Sequence, residues 1–151
     1  MKVKTKIDSM YPEIEVHVCN REMNPQVKDV AERISKMLND TVAGTDKNGV
    51  SFFMVSEIVR FYAQNQKVFA QNSEGIYSVQ KKLYELEEQL AENGFFRASK
   101  SELVNLHKIR RLDMDMTGTI KIIFVDGTQT YTSRRNIPRL KKALGIGKET
   151  L

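Results

Sequence analysis

Three short polar segments of the chain carry side chains able to read nucleic acid: Gln64-Asn65-Gln66-Lys67, Ser99-Lys100-Ser101 and Ser133-Arg134-Arg135-Asn136. Arginine can grip guanine through two hydrogen bonds, and Asn or Gln can do the same with adenine. Ser and Lys serve mainly as phosphate anchors. Each segment also has a plain structural reading. Ser133 can cap a following helix, and Asn65 can make a turn. Taken one at a time, the structural reading is the stronger. The charge distribution adds direction. The chain carries a net +5, with residues 1–95 holding 12 Lys/Arg against 14 Asp/Glu and residues 96–151 holding 12 against 5. A basic half beside a slightly acidic half marks a localised surface for a polyanion, without separating DNA from RNA or anionic lipid.

Other candidate chemistry is thinner. His17-Val18-Cys19 puts two metal-ligand types on one strand face. A structural zinc site takes four ligands, and only His107 could add one more, so a buried, unreactive thiol beside a half-exposed His explains the pair better. Glu85, Glu87, Glu88 and Glu92 cluster on a short helix, where a solvated face accounts for them. Neither a GxSxG elbow nor a phosphate-binding glycine loop occurs. The sequence therefore predicts no enzyme, no cofactor and no metal.

The elements that must position the polar segments follow from periodicity. Lys2 to Ile7 and Ile14 to Val18 alternate as two half-buried strands, with Tyr11-Pro12 turning between them. Asn24-Pro25 opens an amphipathic helix running to about Asn39, with Val27, Val30, Ala31, Ile34, Met37 and Leu38 at helical spacing. Ala43 to Gly49 is a turn-rich break holding the hairpin signal Asn48-Gly49. Strands are predicted at Ser51–Val55, Ile58–Ala63, Val68–Ala70, Ile76–Val79, Phe95–Ala98, Ile109–Met114, Ile120–Val125 and Thr130–Ser133. A short helix around Leu83, Leu86 and Leu90 ends near Asn93-Gly94, and a last helix, Arg134 to Leu144, stops at Gly145. That helix carries Arg134, Arg135, Arg139, Lys141 and Lys142, but its apolar stripe predicts packing on the sheet as its main role. A strand precedes it, which argues against a helix-turn-helix.

The bulk numbers agree with a globular protein: 40% hydrophobic and 28% charged residues. No run approaches the roughly 20 apolar residues of a membrane span, and the lysine-rich start lacks the apolar stretch of a signal peptide. A single cysteine, Cys19, forms no internal disulfide, so a reducing cytoplasmic setting is expected.

Phe95-Phe96-Arg97-Ala98-Ser99-Lys100-Ser101-Glu102-Leu103-Val104-Asn105-Leu106-His107-Lys108-Ile109 resembles the signature of LytTR-type DNA-binding domains. Tyr131-Thr132-Ser133-Arg134-Arg135-Asn136 looks like the family's second signature, and Glu57-Ile58-Val59-Arg60-Phe61-Tyr62 is similar to its opening strand. The resemblance runs in order from Val55 to Leu144. It implies an elongated, mostly antiparallel β fold that contacts the DNA major groove through loops, commonly as dimers on paired direct repeats. Residue by residue, it implies DNA contacts from Gln64, Gln66 and Lys67, with Gln66 foremost. It implies Lys100 at a base-contacting position, flanked by Ser99 and Ser101, with Ser99 standing where the family often has His. It implies Arg135 on a base, with Ser133 and Arg134 on the backbone. Asn105 is read as structural.

The resulting expectation is a mainly β protein with flanking helices (α+β). A β-β-α extension over residues 1–48 serves regulation or dimerisation, a LytTR-like domain spans 49–146, and a tail covers 147–151. The extension lacks the alternating β/α pattern of a phosphoacceptor receiver. The function expected is a bacterial transcription regulator that binds specific double-stranded DNA as a homodimer. A membrane-protein regulatory partner is implied by the resemblance alone. The alternative is a protein-interaction module, which a salt titration of DNA affinity separates, or a non-specific nucleic-acid binder, which equal affinity for every fragment would reveal.

Overall fold

A computed structural model describes residues 1–12 and 14–146. The tail expected from residue 147 onward lies outside the described residues. The chain divides into two compact units, Met1–Lys36 and Met37–Leu151. The boundary expected at residue 48 falls in the turn of a β-hairpin inside the second unit.

In the first unit, the two strands expected at Lys2–Ile7 and Ile14–Val18 are absent: the described residues of 1–24 form no strand. Alternation is necessary for a strand but a ladder partner makes one, and here Val3, Ile7 and Ile14 stay more than 90% exposed. Cys19, expected buried, is exposed, and His17 pairs with Glu15 at 2.8 Å. The helix is as expected. α1 spans Pro25–Asn39, and Asn24 caps it through its Oδ1, which accepts the Val27 N–H at 2.9 Å. Val27, Val30 and Ile34 form its half-buried stripe, opposite an Asp29–Arg33 pair.

The second unit is antiparallel β with short helices. Its strands are β1 (Thr41–Asp46), β2 (Gly49–Met54), β3 (Arg60–Gln64), β4 (Lys67–Asn72), β5 (Gly75–Val79), β6 (Phe95–Ser99), β7 (Glu102–Asn105), β8 (Ile109–Met114), β9 (Thr119–Phe124) and β10 (Gln129–Ser133). α2 covers Leu83–Gln89 and α3 covers Ile137–Leu144. A seven-stranded sheet runs β2-β1-β5-β4-β3-β7-β6, and a three-stranded sheet runs β10-β9-β8. The fold class is the one expected, with two strands more than predicted, β1 and β7.

Two cores hold the unit together. The larger joins Val42, Phe53, Ile58, Phe61 and Leu103 to Leu83, Leu86 and Leu90 around α2. The other joins Val59, Phe96, Ala98 and Val104 to Ile120, Ile122, Phe124 and Leu140. Because side chains alternate along a strand, neighbouring residues of β7 serve different cores, Leu103 the first and Val104 the second. The last helix packs as its stripe predicted: Leu140 is fully buried, with Ile137 and Leu144 beside it. Gly145 stops it in the left-handed region at φ 70°, where its N–H returns to the helix carbonyls.

A polar bridge crosses between the sheets. Glu102 accepts from the Arg60 guanidinium at 2.7 Å and from the Thr130 hydroxyl. Arg60 also donates to Gln71 at 2.9 Å, and Gln71 donates to the Thr128 hydroxyl at 2.7 Å. This places β10 in a fixed register over β3 and β7, which matters for the site below.

Candidate nucleic-acid interface

The strand directions bring the three polar segments to one end of the second unit. β3 runs toward Gln64, and β4 returns from Lys67, with Gln64 paired to Lys67 across a two-residue tip. β7 is antiparallel to β3, so the β6–β7 turn lies at the same end. The Ser101 carbonyl there accepts the Ala63 N–H at 2.8 Å. β6 ends at Ser99, and the Ala98 carbonyl accepts from the Thr132 hydroxyl at 2.7 Å and from Asn136 Nδ2 at 3.4 Å. That links the end of β10 to the end of β6. All nine predicted residues are therefore on one end. Gln64, Gln66, Lys67, Ser99, Lys100, Ser101, Arg134 and Arg135 are exposed, and Ser133 is half-buried.

The first segment is a hairpin tip in which Asn65 and Gln66 both take positive φ, 53° and 65°. That is the requirement of the primed turns that match strand twist. Asn tolerates this region; Gln does not, at a cost of roughly 1–2 kcal/mol. Gln66→Gly is expected to stabilise the protein by roughly 0.5–1 kcal/mol, the left-handed penalty less the extra chain entropy of glycine. A urea melt reads this as a higher midpoint at unchanged slope.

The second segment is braced by a residue to which sequence reasoning gave no role. Arg97 donates from Nε to the Ser99 carbonyl at 2.8 Å and from one terminal nitrogen to the Lys100 carbonyl at 2.7 Å. Its other terminal nitrogen pairs with Glu87 of α2 at 2.8 Å. A bulge between Arg97 and Ser99 folds the turn back over its own arginine. The clamp leaves the Lys100 ammonium free of any hydrogen bond or ion pair within the described residues. Arg97→Ala is expected to cost about 1 kcal/mol of stability but roughly tenfold in DNA affinity, because the turn must then be ordered on binding. Arg97→Lys is expected not to rescue the affinity, since one ammonium cannot reproduce a three-acceptor fork. Parallel melts and anisotropy titrations measure both.

The third segment departs from the simple helix-cap reading. Arg134–Asn136 form a 3-10 turn before α3, and Ser133 makes no side-chain cap bond. Its buried hydroxyl has no partner among the described residues. The fixing is done instead by Asn136, whose Nδ2 donates to Thr132 Oγ1 at 2.9 Å. Arg139 lies over the Phe96 ring at 5.0 Å and is spent on packing. Arg134 and Arg135 make no side-chain hydrogen bond or ion pair among the described residues.

A fourth segment at this end was not foreseen. Ser133 pairs with Thr119, and the Arg134 N–H donates to the Gly118 carbonyl at 2.8 Å. The β8–β9 turn, residues 115–118, therefore flanks the arginines. Asp115 accepts from the hydroxyls of Thr117 and Thr119, each at 2.6 Å. These bonds hold its carboxyl well below the usual carboxylate range. The signal in the sequence was Asp-x-Thr-Gly-Thr, a turn pattern that periodicity passes over.

No group of three or more His, Cys, Asp or Glu side chains among the described residues could hold a metal. No described helix is long and apolar enough to cross a membrane.

The end is a loop-built, cation-bearing surface on an antiparallel β scaffold. The model of the LytTr DNA-binding domain family matches residues 48–145. The chain belongs to that family. Two Staphylococcus aureus proteins, from strains MSSA476 and MW2, are each 30% identical over 147 residues, covering 97% of this chain and 99% of theirs. Both are named uncharacterized HTH-type transcriptional regulators. The fold also matches the LytTr DNA-binding domain of a putative methyl-accepting/DNA response regulator from Bacillus cereus. The TM-score is 0.66 at 21% identity, over 71% of this chain and 98% of that one. Despite the relatives' names, α3 here follows strand β10 through a 3-10 turn, with no tightly joined helix before it.

Proposed function

We propose that this protein is a bacterial transcription regulator that binds specific sites in double-stranded DNA by laying its four-turn end against the major groove. The observation that carries the reading is the convergence of Gln64, Gln66, Lys67, Ser99, Lys100, Ser101, Ser133, Arg134 and Arg135 on one end of the family's domain. Lys100, Arg134 and Arg135 have no side-chain partner there among the described residues. Arg135, Gln66 and Lys100 read base edges, with Ser99 beside Lys100; Lys67, Arg134, Ser101 and Ser133 hold phosphates. Lys100 and Ser99 give this chain a base preference of its own at the middle turn. The protein acts in the cytoplasm as a homodimer and carries no catalytic activity. A membrane-protein regulatory partner follows only from the family resemblance.

The test is anisotropy with labelled genomic fragments over a salt series. The expected result is one class of fragments bound well above the rest, with log affinity falling linearly with log salt at a slope of about −0.9 per phosphate contact. Equal affinity for every fragment would reduce the reading to a non-specific binder. Little affinity at moderate salt would leave the protein-interaction module.

A further inference from the structure

The strand that delivers Arg134 and Arg135 carries two buried threonines. Thr130 and Thr132 are 9% and 2% exposed and pair with Ile122 and Ile120 of β9. Their hydroxyls reach the other sheet. Thr132 donates to the Ala98 carbonyl at 2.7 Å near the end of β6. Thr130 donates to Glu102, the first residue of β7. Ala98 stands two residues before Lys100 and Glu102 two residues after it. Both legs of the middle turn are therefore tied to the strand that ends in the arginines.

This is a costly way to fill an inward face. A hydroxyl taken from water needs a partner. The Glu102 carboxylate, paired with Arg60 at 2.7 Å with side chains only 16% and 18% exposed, gives up most of its hydration. Ile120 and Ile122 fill the matching positions of β9 with apolar groups at no such cost. Apolar contact is non-directional, so it holds two sheets together without fixing where one stands along the other. A hydrogen bond depends on distance and angle, so two of them select a single register.

We propose that Thr130 and Thr132 are positioning residues: their hydroxyl rungs set the distance between Lys100 and Arg135 and so select the number of base pairs between the bases that the two turns read, a role that rests on the DNA reading above. Being buried, the threonines act through the turns and touch no DNA. The turns arrive already placed, so neither has to be ordered separately on binding. One inserted base pair moves a contact by about 3.4 Å along the helix axis, which a rigid pair of turns does not follow.

Thr130→Val/Thr132→Val removes both hydroxyls at nearly constant volume. Thr130→Ser/Thr132→Ser keeps the hydroxyls and removes the methyls. The first measurement uses no DNA. In a Cys19→Ser background, spin labels at Lys100→Cys and Arg135→Cys report the distance between the turns. One narrow distribution is expected with the threonines or the serines, and a broader or shifted one with the valines. The second measurement uses unlabelled protein and anisotropy on two fragments. One is the cognate site; the other has a base pair inserted between the bases that respond to Lys100→Ala and to Arg135→Ala. Wild type and the serine variant should favour the cognate fragment by about tenfold or more, and the valine variant by under about threefold, the loss falling on the cognate fragment. Identical distance distributions in all three proteins, or a valine variant that discriminates as wild type does, would overturn the proposal. So would a serine variant that fails as the valine one does, since the threonines would then serve packing alone. If neither Lys100→Ala nor Arg135→Ala changes affinity, the DNA reading itself fails, and the distance distributions still decide whether the rungs place the turns.

Discussion

Replacing Arg135 with alanine is expected to cost roughly 1–3 kcal/mol at one guanine-containing base pair of the target, about 5- to 150-fold in affinity. Three features set the size. The guanidinium is exposed and has no partner among the described residues, so its removal subtracts nothing from folding. The backbone beneath it is a 3-10 turn fixed by Asn136, Thr132 and Ala98, so little entropy is lost in placing the side chain. A bidentate Arg–guanine pair is the most selective contact that the major groove offers. The loss should be specific: on a scrambled fragment only one charge contact disappears, and the salt slope falls by about 1. Arg135→Lys keeps the charge and loses the fork. It should recover the scrambled-fragment affinity and not the cognate one. Titrations of both variants on both fragments decide; equal losses on the two fragments would make Arg135 a phosphate contact only.

The largest effect on stability is expected at Asn105. It is 1% exposed. Its Nδ2 donates to the Ile58 carbonyl at 2.8 Å, and its Oδ1 accepts the His107 N–H at 3.0 Å. Each backbone group it serves lies where strands β3 and β7 end and the ladder cannot satisfy them. Asn105→Ala leaves both without their partner, at about 1–3 kcal/mol each, so a total of about 2–6 kcal/mol is expected. Asn105→Asp keeps the acceptor but loses the donor to Ile58 and buries a charge beside a carbonyl, so it should be no milder. Urea melts measure both. A change under about 0.5 kcal/mol, typical of a surface site, would remove Asn105 from the structural role.

The places where sequence and structure part have local causes. Gly44 helped make residues 43–49 read as a break, yet it lies within β1. A Cβ there would sit 2.7 Å from Tyr77 Cβ and 2.9 Å from the Phe53 ring. Glycine is used for close packing, and sequence cannot tell that from a turn. The opposite error fell on residues 2–7 and 14–18, where strict alternation met no ladder. Arg97 stood in the quoted motif from the start, but its role depends on a bulge one residue later, which leaves no trace in residue types.

The polar turns themselves were legible because each has a chemical signature: amides and a lysine at a hairpin tip, Ser-Lys-Ser between strands, Ser-Arg-Arg before a helix. Local rules of turn, cap and alternation act over a few residues, and so they place each segment at an element's end. Whether those ends meet depends on contacts between residues far apart in sequence. Here Thr132 on Ala98, Ala63 on Ser101 and Glu102 between Arg60 and Thr130 bring the segments to one end. The sequence determined which side chains are offered; the tertiary structure decided that they are offered together, because strand order and register are set by core burial across the whole unit rather than by the turns.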